Sequence, residues 1–111
     1  MKRIVAILCV VVSIVAASAG ATPTHENVAA NKAAICQVFG KHCRAALNVS
    51  WCESHWHTWA SNGQYLGLFQ MGSSERRIYG HSSTAYGQAV AAYRYFKATG
   101  YTWRPWSCKP W

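Results

Sequence analysis

The sequence predicts a small α+β domain, mainly α, with one short β-hairpin and two disulfides. Three observations predict it. Apolar residues recur at helical spacing in two separate segments, and an alanine-rich run precedes them. A single strong turn signal, Asn62-Gly63, lies between short β-prone stretches. Four cysteines, Cys36, Cys43, Cys52 and Cys108, follow an export-type N-terminus, where an even set reads as paired.

The N-terminus begins with Met1-Lys2-Arg3 and continues in an apolar run from Ile4 to Ala17, broken only by Ser13. Ala17-Ser18-Ala19 and Ala19-Gly20-Ala21 are small-x-small cleavage candidates, so residues 1–21 read as a signal peptide and the protein as secreted. Uncleaved, Ile4 to Ala21 has about the length of a membrane anchor. The small residues at its end favour removal, and Cys9 leaves with it. Losing Lys2 and Arg3 lowers the formal charge by two, from +8 to +6. A basic exported chain is drawn to anionic surfaces such as the cell wall. No dense Lys/Arg block is present, so nucleic acid is not assigned as a partner. About 90 residues remain, one domain with a modest core, read as a monomer.

Residues 22–34 are expected to form a mobile or partly helical leader and 35–111 the domain proper. Thr22 to Glu26 is polar and contains Pro23, and the alanine-rich run from Val28 ends at Phe39, before the helix stop Gly40. A second helix from about His42 to Glu53 repeats Cys43, Leu47 and Trp51 every four residues. Along one such helix Cys43 and Cys52 stand about 13 Å apart, too far for a disulfide. Two connectivities remain, and Cys36–Cys43 with Cys52–Cys108 is adopted, Gly40 breaking the helix between the first two. Asn62-Gly63 then makes a hairpin turn with Tyr65-Leu66 behind it. Ser73 or Ser74 caps a short helix through Tyr79, with Glu75 in its first turn. Ser82-Ser83-Thr84 offers caps for a last helix to near Gly100, burying Ala89, Ala92, Tyr93 and Phe96. The tail from Tyr101, with three tryptophans and two prolines, is expected to be extended and pinned by Cys108.

Chemistry concentrates at Trp51-Cys52-Glu53-Ser54-His55-Trp56. The chain has three acidic residues, Glu26, Glu53 and Glu75, and no aspartate. Only Glu53 lies among aromatic residues, with Trp51, Trp56 and Trp59 near it in sequence. A carboxyl group among apolar side chains at a helix C-terminus suits a general acid, since both settings favour its protonated form. The plain reading is a helix-terminal glutamate in water. His55 and His57 beside Cys52 suggest zinc, but further ligands are not evident and Cys52 is better used in a disulfide, so no metal or other cofactor is assigned.

Helix ending in Glu53-Ser54, then Asn62-Gly63-Gln64-Tyr65-Leu66-Gly67-Leu68-Phe69-Gln70, then Ala91-Ala92-Tyr93 resembles the lysozyme-like lytic transglycosylases. The likeness is strongest to small actinobacterial proteins related to resuscitation-promoting factors. Those similarly place a cysteine before the glutamate, as Cys52-Glu53, with its partner after a tryptophan, as Trp106-Ser107-Cys108. The resemblance covers about Ile35 to Trp111 and implies a lysozyme-like domain acting on peptidoglycan glycan strands. It implies Glu53 as catalytic acid, Gln70 in the substrate cleft and Tyr93 facing the acid. Ser54, Trp56 and Tyr65 complete the expected substrate contacts. His55 departs from the glycine often found there. With Glu26 placed in the leader and Glu75 explained by its helix start, one carboxyl group is left for catalysis. Two other classes compete: a wall-binding module without activity, and a membrane-active antibacterial protein. Both would tolerate loss of Glu53.

Overall fold

The computed structural model describes residues 26–111. The expected signal peptide and the start of the leader lie outside these. Asn27 opens the first helix, its side chain accepting a 3.0 Å bond from the Ala30 amide. The chain then runs through α1 (Val28–Phe39), a 3₁₀ turn (Gly40–His42), α2 (Cys43–Ser54), β1 (Ser61–Asn62), β2 (Tyr65–Leu66), α3 (Ser73–Tyr79) and α4 (Ala85–Ala98). Gly40, at φ 53°, turns the chain between α1 and α2, a conformation that favours glycine. That turn brings Cys36 and Cys43 to a Cα separation of 4.4 Å, within bonding reach. Cys52 and Cys108 pair likewise, at 5.9 Å. The fold is therefore α+β, mainly helical, with a two-stranded antiparallel sheet and both expected disulfides.

The hairpin differs from expectation by one residue. Asn62 pairs with Tyr65 as the last residue of β1, so the two-residue turn is Gly63-Gln64, with Gly63 at φ 59°. Helix α1 packs on both α2 and α4, and Phe39 sits where they meet. Around its ring lie Phe69 and Tyr93 at 5.3 Å, Trp103 at 5.6 Å and Phe96 at 5.9 Å between centroids. Burial of one such side chain contributes about 1.5–3 kcal/mol. The expected α4 face is mostly borne out: Ala89, Ala92 and Phe96 are buried, Gln88 joins them, and Tyr93 is half-buried.

The tail corrects its expectation. It is not extended but folds into a turn, the Trp106 amide donating to the Trp103 carbonyl at 3.1 Å. Trp103 and Trp106 both enter the core, because a domain this small draws on its tail for large apolar side chains. Glu26, counted with the leader, is tied down as well. Its carboxylate accepts from Asn31 Nδ2 at 2.8 Å, from the Thr58 amide at 2.7 Å and from the Thr58 hydroxyl, and it pairs with His57 Nδ1 at 3.0 Å. This clamp holds a loop in which His55 and Trp56 both take left-handed backbone, φ 54° and 63°. Such residues persist only where surrounding bonds over-determine them.

Candidate active-site cleft

Between the end of α2, the hairpin, the start of α3 and the tail lies a cleft of about 700 Å³. Glu53, the penultimate residue of α2, stands on its wall half-buried. One carboxylate oxygen, Oε1, accepts a 3.0 Å bond from the Cys108 amide, 55 residues on. The disulfide from Cys52 brings that donor there, since Cys52 immediately precedes Glu53. Among the described residues no donor meets Oε2. The carboxylate is thus fixed on one side by backbone and unengaged on the other.

Gln70 takes φ 47° and folds its amide back, Nε2 donating to the carbonyls of Ala60 at 2.9 Å and Gly67 at 3.0 Å. Both Gln70 and Tyr65 line the cleft with Glu53. Trp106 lines it too, its indole donating to the Phe69 carbonyl at 3.0 Å. Of the tryptophans, Trp106 and not Trp51, Trp56 or Trp59 lines the cleft with Glu53.

Three expected substrate contacts are placed elsewhere. Ser54 is buried, its hydroxyl hydrogen shared between the carbonyls of Ser50 at 2.9 Å and Leu68 at 2.7 Å, so it fastens α2 to the segment after the hairpin. Trp56 lies against the core with Nε1 donating to the Leu47 carbonyl at 3.0 Å and Lys32 over its ring. Tyr93 packs edge-on to Phe39 and lines a second hollow with His42 and Tyr101, away from Glu53. Two residues further along α4, and so on nearly the opposite side of the helix, Tyr95 joins Tyr65 in lining the cleft. Its ring packs at a tilt against those of Tyr79 at 5.2 Å and Trp106 at 5.1 Å. Burial raises the Tyr95 hydroxyl above its ordinary range, and the charge of Glu75 and the neighbouring Tyr79 add to this.

That Glu75 effect points to the residue sequence reasoning set aside. Glu75 does lie in the first turn of α3, as expected, yet it also lines the cleft. Helical spacing does not single out Tyr95, which stands three residues after the buried Ala92 just as Tyr93 stands four after Ala89. Compared with protein-family models, curated proteins and solved structures, the chain finds no match in any of the three.

Proposed function

We propose that this is a secreted, lysozyme-like enzyme that cleaves the β-1,4 bond between MurNAc and GlcNAc in peptidoglycan, as a lytic transglycosylase. The observation that carries the reading is the Glu53 carboxylate, held by the Cys108 amide on the wall of a cleft that also presents Gln70 and Tyr65. The two disulfides accord with an exported chain, and the order of motifs resembles that family. Glu53 protonates the glycosidic oxygen as its bond to C1 breaks. The muramic sugar's acetamido oxygen stabilises the oxocarbenium-like centre. Glu53, now deprotonated, takes the proton of the 6-hydroxyl while that oxygen closes on C1, leaving a 1,6-anhydro end.

One observation favours a second reading, hydrolysis. Glu75 gives the cleft a second carboxylate, and two carboxyl groups are what hydrolytic glycosidases commonly use, the second activating water. Mass analysis of soluble products from purified peptidoglycan separates the two, because anhydro ends lack the mass of one water. Release of neither product, with binding to the wall retained, would instead leave a glycan-binding module.

A further inference from the structure

The cleft is fastened from two sides by separate means. Glu53 stands on the side made by α2 and the tail, which the Cys52–Cys108 bond and the Cys108 amide hold. Ala60, Ser61, Asn62 and Gln70 line it from the loop and the hairpin. There the Ala60 carbonyl is the shared acceptor, taking the Gly67 amide at 2.8 Å and Gln70 Nε2 at 2.9 Å. Where Ala60 stands therefore decides where the Gln70 amide stands. The Ala60 amide in turn donates to the His57 carbonyl at 3.4 Å. Thr58 is gripped twice: Glu26 accepts from its amide and hydroxyl, and Gln88 of α4 donates to its carbonyl. Asn31, 6 % exposed, joins the clamp to the loop's left-handed pair, its Nδ2 reaching both Glu26 Oε1 and the Trp56 carbonyl at 2.9 Å. Glu26 does not line the cleft, and only 15 % of its side chain is exposed. Starting α1 does not account for its bonds, because Asn27 already caps that helix and three of the four go to His57 and Thr58.

We infer that Glu26 is a positioning residue for substrate binding, setting through His57 and Thr58 the side of the cleft that carries Ala60 and Gln70. This rests on the reading of the cleft as a glycan site, and it holds for either product. A carboxylate suits the task, since it accepts several donors at once and its bonds are stronger than neutral ones. The loop needs such a grip. His55 and Trp56 hold backbone that L side chains seldom adopt, so a freed loop relaxes away from this path. A glycan would then have to order that side of the cleft as it bound. The cost falls equally on the bound ground state and the transition state, so it raises KM and spares kcat. The Glu53 side keeps its own fastening and its chemistry. The segment ahead of Ile35 is thus part of the binding apparatus and not a leader to it.

Steady-state cleavage of soluble wall glycan strands by the full chain tests this, at a temperature where each variant is folded by circular dichroism. Glu26→Gln should raise KM about fivefold while kcat stays within about twofold of the parent's. Asn31→Ala should do the same, and Thr58→Val, which loses only the hydroxyl bond, should do less. Ile35→Val, a destabilising change in the buried face of the same helix, should match the parent. Amide exchange reads the clamp without substrate. In Glu26→Gln the Gly67 amide should exchange about tenfold faster, while the Cys108 amide keeps the parent's rate. A parent-like KM in Glu26→Gln, a fall in kcat alone, or an equal rise of KM in Ile35→Val overturns the inference, as does parent-like exchange at Gly67. A parent that cleaves nothing defeats the proposed reaction instead, and the exchange rates then decide whether Glu26 sets this side of the cleft.

Discussion

Glu53 and Gln70 are positioned by backbone groups rather than by other side chains, so their geometry depends on the chain path and little on surface charge. Glu53→Gln keeps an oxygen for the Cys108 amide but has no proton to deliver. Wall-cleaving activity should fall by about 10³-fold or more, since one group serves as acid and then base, while thermal unfolding stays near the parent's. Equal activity in a dye-release assay would refute the assignment. Glu26 offers a different test. Burial alone would raise its pKa, but the bonds from Thr58, Asn31 and His57 outweigh this and hold it below the ordinary 4.5. Its contribution to stability is therefore complete above about pH 4.5 and is lost as pH falls through the lower folded value. Glu26→Gln should cost about 1–3 kcal/mol in urea unfolding at neutral pH, and the gap should narrow near pH 3. A gap that widens on acidification would contradict this. Glu53 was legible because a lone carboxyl group beside a cysteine and tryptophans is conspicuous. The Glu26 clamp was not, because its partners lie up to 32 residues away.

At the scale of elements, Gln88 is the pin between α4 and the hairpin region. Its Oε1 accepts from the Leu68 amide at 2.9 Å, and its Nε2 donates to the Thr58 carbonyl at 3.0 Å. Gly67 must be glycine here, with φ 84° and the Gln88 Oε1 only 2.5 Å from where its Cβ would stand. Gly67→Ala should destabilise by about 2–3 kcal/mol in urea unfolding, through left-handed strain and a displaced buried amide. A loss under about 0.5 kcal/mol would show that the pin yields freely. Helix existence was readable from spacing and stop signals, because period and caps are local properties. Which tyrosine of α4 lines the cleft was not: Tyr93 and Tyr95 share one helix, and only the position of the tail decides which of them meets Trp106.

For the whole molecule, the Cys52–Cys108 bond closes a loop of 56 residues, worth about 4 kcal/mol in the chain-entropy model. Replacing both cysteines by serine should lower stability by about that amount, measurable as a reduced midpoint in guanidinium. An unchanged midpoint would mean that the buried Trp103 and Trp106 hold the tail alone. The cysteine pairing was accessible from helix geometry and a glycine stop. That the tail would furnish both core and cleft was not, since nothing local in Tyr101 to Trp111 says what it folds against. The same bond carries a consequence for when the site exists. The amide that orients Glu53 belongs to Cys108, so joining those two sulfurs ties the carboxylate's partner to the end of α2. Mild reduction should accordingly silence cleavage before helical circular dichroism is lost.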